Sequence, residues 1–118
     1  MNREEVILGI DTSNYTTSLA IMNLRGDLIT EKRKNLFVKE GSVGLRQSDA
    51  FFQHIKELPN VSNFISSCPI PFQIVAVSSA IRPRPLPDSY MPVFVASESF
   101  GKTISHLLNI PFYGFSHQ

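Results

Sequence analysis

Apolar residues fall along this chain in two patterns, and each predicts a different kind of element. Residues 6–10 (VILGI) form an unbroken apolar run, as expected of a strand covered on both faces. Residues 16–22 and 28–33 are further extended stretches on either side of the turn formed by Arg25, Gly26 and Asp27. The three together read as an antiparallel meander. From Leu45 to Leu58 the apolar positions Leu45, Phe51, Phe52, Ile55 and Leu58 follow a helical spacing that stops at Pro59, and a short helical piece over residues 61–66 extends it. Residues 73–78 (QIVAVS) predict a buried strand, followed by a stiff loop carrying Pro83, Pro85, Pro87 and Pro92. A second helix starts near Pro92, where a missing N–H costs nothing, and extends to about Leu108 with Val93, Ala96, Phe100, Ile104 and Leu107 on one face. Residues 112–116 form a last strand.

The order is therefore β-β-β-α-β-α-β: three hairpin-linked strands, then two crossover units whose strands must run parallel. The expected fold is α/β, a mixed five-stranded sheet with helices packed on it. This is the ribonuclease H-like plan, which also forms the core of each lobe in actin-like ATPases. Fold alone does not give function. The length of 118 residues suits a single domain, and 42% hydrophobic against 18% charged residues marks it as globular. No apolar run reaches the ~18 residues of a membrane span, and the start MNREEV is too acidic for a signal peptide, so a cytoplasmic protein with no membrane partner is expected. The net charge of +1 lacks the basic excess of a nucleic-acid binder. The single cysteine, Cys68, has no CxxC spacing and no basic neighbour, and reads as an inert structural thiol.

Candidate chemistry concentrates where the first strand ends. Thr12, Ser13 and Asn14 can present hydroxyls and backbone N–H groups to phosphate oxygens, and Asp11 can orient a water on Mg²⁺. The competing reading of the same residues is a β-hairpin in which Thr and Asn serve turn geometry. Arg82 and Arg84 sit in a loop after a strand, where α/β units present ligand groups; they suit a phosphate or tRNA backbone, or else an exposed connector. His54, beside Lys56 and Glu57, and His106 lack ligand partners at useful spacing and read as structural or surface residues, with His54 placed toward solvent. A two-metal nuclease needs carboxylates clustered around Asp11. Asp49 or Glu57 could supply one, but AVSSAI offers none at the end of the fourth strand.

The stretch ILGIDTSNYTTSLAI (residues 7–21) resembles the N-terminal phosphate hairpin of the tRNA threonylcarbamoyladenosine transferase family, formerly labelled O-sialoglycoprotein endopeptidases, whose usual pattern is GIETSCDETSVAI. IPFYGFSHQ is similar to that family's strand leading into a His-x-x-x-His metal motif, with His117 as the first histidine. KEGSVGLRQSDAFFQHIKELP and PRPLPDSYMPVFVASESFG look most like a divergent bacterial branch of this glycoprotease family. Asn14, Tyr15 and Thr16 replace the family's Cys-Asp-Glu, and IRPRPLPDSYMP replaces its glycine-rich GPGLVGSL run.

The resemblance implies an N-terminal actin-like subdomain, residues 1–118, of a longer two-lobed protein that uses ATP and a divalent metal, zinc or iron or else magnesium, to modify adenosine in tRNA. Asp11, Thr12, Ser13 and Asn14 would then touch nucleotide phosphates or metal-bound water, and His117 would join the metal site. Partners would be the C-terminal lobe, a second copy or a family paralogue, and tRNA through the complete assembly only. This piece alone is expected to be inactive and to bind neither cofactor tightly, because a cleft with one wall cannot exclude water or position two substrates. The alternative is a non-catalytic scaffold that pairs with itself or with an active relative.

Overall fold

The computed structural model describes residues 3–13, 15–38, 46–84 and 91–117. Seven elements follow in order: β1 (Glu4–Asp11), β2 (Thr16–Asn23), β3 (Leu28–Asn35), α1 (Gln47–Ser66), β4 (Phe72–Arg82), α2 (Phe94–Leu108) and β5 (Phe112–Ser116). They build one five-stranded sheet in the order β3-β2-β1-β4-β5. β1–β2 and β2–β3 pair antiparallel, whereas β4 and β5 run parallel to β1. This is the mixed sheet that the order of elements predicts.

Alternation along β1 and β2 sends Val6, Leu8, Ile10, Leu19 and Ile21 to one face, where they meet Leu58, Val61 and Ile65 of α1 and Ala96 of α2. Both helices cover that face. On the other face Met22, Leu28, Tyr113 and Phe115 are exposed, and no helix covers them among the described residues. The β2–β3 turn is organised by Asn23, whose Oδ1 accepts from the N–H groups of Arg25 and Asp27. Gly26 there has a φ of 91°, which a side chain would strain.

Three expectations change. The helical piece expected over residues 61–66 does extend the first helix, but with no stop at Pro59 between them: α1 continues to Ser66 with Pro59 inside it. A proline within a helix costs roughly 3 kcal/mol, but Val61 and Ile65 beyond it are buried, and each such burial returns about 1.5–3 kcal/mol. Pro59 itself is exposed, so the carbonyl freed one turn earlier is on the wet side of the helix. The expected start of this helix at Leu45 lies outside the described residues.

In α2 the buried line is Phe94, Ala96, Ser97, Gly101 and Ser105. Phe100 and Ile104 are partly buried against the core, but Leu107 is 78% exposed rather than part of the inner face. The helix approaches β4 through small residues: a Cβ on Gly101 would collide with Ser79 Oγ and come within 2.8 Å of Phe112 Cε1. Leu107 lies two positions past Ser105, roughly half a turn round, and so faces away. α2 ends on Asn109 in the left-handed region, with the Ile110 N–H donating back to the Ser105 carbonyl.

His54 does not face solvent. It is fully buried between α1 and β2, with its Nδ1 2.8 Å from Thr17 Oγ1.

Candidate functional site at the strand ends

The parallel strands β1, β4 and β5 finish at the same edge of the sheet, the edge where α/β proteins gather their ligand groups. Asp11 closes β1, Ser13 follows two residues later, Arg82 closes β4, and His117 follows β5 directly. β4 and β5 pair Ala80 with Phe115 and then Arg82 with Ser116, so Ile81 is an extra residue, a β-bulge. The His117 N–H donates to the Arg82 carbonyl at 2.8 Å, which anchors the histidine backbone.

Three of the five candidate residues meet here. Asp11 Oδ1 accepts the Ser13 N–H at 2.7 Å, and Asp11 Oδ2 lies 2.8 Å from His117 Nδ1. Ser13 Oγ stands 3.0 Å from the same nitrogen and 3.5 Å from Nε2. The His117 side chain is 52% exposed and the Asp11 side chain 26% exposed, while Ser13 is buried. The buried ring of Phe94 backs the imidazole at 6.4 Å between centroids.

Thr12 has a different task. Its fully buried hydroxyl donates to the Val93 carbonyl at 2.9 Å and accepts the Ser97 N–H at 3.0 Å. The hydroxyl expected to meet phosphate is thus spent on pinning the start of α2 to the end of β1. Ser97 Oγ in turn donates to the Ala80 carbonyl of β4. The other amides at this helix start are also committed: Val93 to Gln47 Oε1, Phe94 to Met91, Val95 to Pro92 and Ala96 to Val93. None of these N–H groups is left over to cradle an anion.

Asn14 lies outside the described residues, as do residues 85–90 with Pro85 and Pro87. Arg82 is half-buried and Arg84 exposed. His106 is exposed in the last turn of α2, and Cys68 is half-buried against the core. Asp49 is exposed in the first turn of α1 and Glu57 lies half-buried further along that helix. Sequence reading missed Phe94, Val93 and Ser97 as supports of the site. Their only signal is position, at a helix start following a strand.

The arrangement limits the chemistry. A serine nucleophile needs its base on one ring nitrogen and the orienting carboxylate on the other; here Asp11 and Ser13 both lie closest to Nδ1. Among the described residues no group of three or more His, Cys, Asp or Glu side chains could hold a metal ion. One imidazole backed by a carboxylate fits a single ligand of a site whose other ligands come from elsewhere. Phosphate fits less well: the Thr12 hydroxyl and Ser13 N–H are bonded internally, and the Asp11 carboxylate stands beside them.

No family model matches this chain, and no curated protein matches it in sequence. Among solved structures it is similar to an uncharacterized Pseudomonas aeruginosa protein described as having similarity to peptidase YeaZ, at 12% identity and a TM-score of 0.66. The match covers 95% of this chain and 43% of that one. YeaZ from Pseudomonas aeruginosa matches at 14% identity and a TM-score of 0.62, over 94% of this chain and 43% of that one. A ROK family transcriptional regulator, a homolog of the E. coli MLC protein, matches at 10% identity and 0.52, covering 96% of this chain and 28% of its own. At such identities the likeness is one of fold: the chain has the ribonuclease H-like architecture, a mixed five-stranded sheet with helices packed on it, which actin-like proteins share. It spans less than half the length of each of these structures. No helix among the described residues is long and apolar enough to cross a membrane.

Proposed function

We propose that this chain is the N-terminal lobe of a threonylcarbamoyl-transferase-like protein, and that its part in the shared site is to supply His117 as one metal ligand at the strand ends. The observation that carries this reading is the meeting of Asp11, Ser13 and His117, 106 residues apart from first to last, at the ends of β1 and β5. The fold shared with YeaZ and the hairpin and C-terminal motifs agree with it. A divalent metal would act as a Lewis acid toward an oxygen of its substrate. The chain's own residues hold the imidazole, and the second lobe would bring the remaining ligands, most of the nucleotide contacts and the tRNA. By itself the chain has one wall of that cleft and is inactive.

Calorimetric titration of the 118-residue chain with ATP, with Mg²⁺ or Zn²⁺ present, tests this. Weak heat, confined to the metal and lost in His117→Ala, is the expected result. ATP turnover or carbamoyl transfer by this chain alone would overturn it.

A second reading, the scaffold, has its own observation. Phe52 and Ile55 on α1 and Leu107 on α2 are exposed, and an apolar groove between the two helices is lined by Ile55, Pro59, Phe100 and Thr103. Exposed apolar residues gathered around a groove mark interaction surfaces. On this reading the chain pairs through α1 and α2 with a second copy or a relative. Sedimentation should then show a concentration-dependent dimer that Leu107→Glu weakens; a monomer at high concentration argues against it.

A further inference from the structure

We infer that Asp11 is a positioning residue for His117: it fixes the imidazole in the Nδ1–H form, so that Nε2 is the nitrogen available to a divalent transition metal. The inference rests on the reading of His117 as a metal ligand for its purpose, but not for its geometry.

An ionised carboxylate can only accept hydrogen bonds. The 2.8 Å contact between Asp11 Oδ2 and His117 Nδ1 therefore places the proton of a neutral ring on Nδ1. Asp11 is itself held, because its other oxygen accepts the Ser13 N–H at 2.7 Å. The imidazole is restrained at two further points, through its backbone N–H on the Arg82 carbonyl and through its ring against Phe94. Ser13 Oγ lies beside the same ring, 3.0 Å from Nδ1 and 3.5 Å from Nε2, and as a hydroxyl it can accept from the Nδ1–H. A histidine that gives one ring N–H to a carboxylate and keeps the other nitrogen for a cation is the common arrangement around bound metals, and removing the carboxylate typically costs 10–100-fold in affinity.

This gives the hairpin a different use from the one its sequence suggests. Thr12 ties it to α2, and the Asp11–Ser13 turn orients an imidazole delivered by the far end of the chain. The loop acts as a support for a ligand more than as a cradle for phosphate.

Nitrogen-15 NMR of the histidine rings in mildly alkaline buffer tests this directly, with Ni²⁺ as the probe for the second arm. In the unmodified chain, His117 should be in the Nδ1–H form. Asp11→Ala should move it to the Nε2–H form that free imidazole side chains favour, whereas Asp11→Asn, which keeps an acceptor oxygen, and Ser13→Ala should leave it unchanged. An Nε2–H ring in the unmodified chain overturns the inference, and that spectrum decides even where Asp11→Ala does not fold. An Nδ1–H ring retained in folded Asp11→Ala overturns it equally. Ni²⁺ should broaden the His117 signals before those of His54 and His106, and Asp11→Ala should need roughly 10–100-fold more metal for the same effect. A fixed Nδ1–H ring that Ni²⁺ never broadens leaves Asp11 as the positioning residue and overturns the metal reading of His117 instead.

Discussion

Two imidazoles in this molecule sit beside hydroxyls at nearly the same distance, yet they do different work. His54 Nδ1 lies 2.8 Å from Thr17 Oγ1 and His117 Nδ1 lies 3.0 Å from Ser13 Oγ. His54 is fully buried where α1 crosses β2, and its partner is equally buried. His117 is half-exposed at the sheet edge and is backed by a carboxylate. A hydroxyl can donate or accept, so the Thr17 hydroxyl can meet the His54 Nδ1 in either tautomer, and that contact by itself selects no form. A carboxylate accepts only, so the Asp11–His117 contact selects a form. The difference shows that a histidine–hydroxyl pair carries no functional meaning until burial and the third partner are known.

The largest effect should come from breaking the buried pair. His54→Ala removes a ring from a packed site and leaves the Thr17 hydroxyl without its imidazole, so urea unfolding should show a loss of about 3 kcal/mol. A loss below about 1 kcal/mol would mean that His54 is not part of the core.

Thr12→Val comes next, because Thr12 belongs to the same strand end as Asp11 but is buried like Thr17. It leaves the Ser97 N–H unpaired inside the protein and should cost about 2 kcal/mol in the same measurement. If instead it left stability unchanged and altered ligand binding, the hydroxyl would belong to the site and not to the scaffold.

The smallest effect on stability should be that of His117→Ala. The side chain is half-exposed, and contacts between such groups typically contribute less than about 1 kcal/mol. A change larger than that of Thr12→Val would reverse the comparison and make His117 a structural residue.

Most of the fold was legible because each element declares itself locally. The apolar run of β1, the Arg25-Gly26-Asp27 turn and the proline at the head of α2 are nearest-neighbour signals, and all three led to the correct element type. The errors arose where a distant partner outweighed a local rule. Pro59 reads as a stop between a helix and the short helical piece that extends it, but burial of Val61 and Ile65 against the sheet carries α1 through it as one helix. Leu107 reads as core, but the close seating of Gly101 on Ser79 and Phe112 rotates α2 so that small residues face inward. His54 reads as surface beside Lys56 and Glu57, and one turn of helix geometry puts it on the stripe shared with Ala50, Leu58, Val61 and Ile65.

The candidate site divides in the same way. The amino-acid sequence alone determined the order of elements, and with it the parallel run of β1, β4 and β5 that ends Asp11 and His117 at one edge. It also nominated Asp11, Thr12, Ser13 and His117 by residue type. Only the tertiary structure decided what each does: Thr12 bonds inward to α2, while Ser13 and Asp11 turn to the imidazole. The physical reason is that a hydroxyl or carboxylate takes its role from whichever partner lies within about 3 Å. For these residues the deciding partners lie 81 to 106 positions away along the chain.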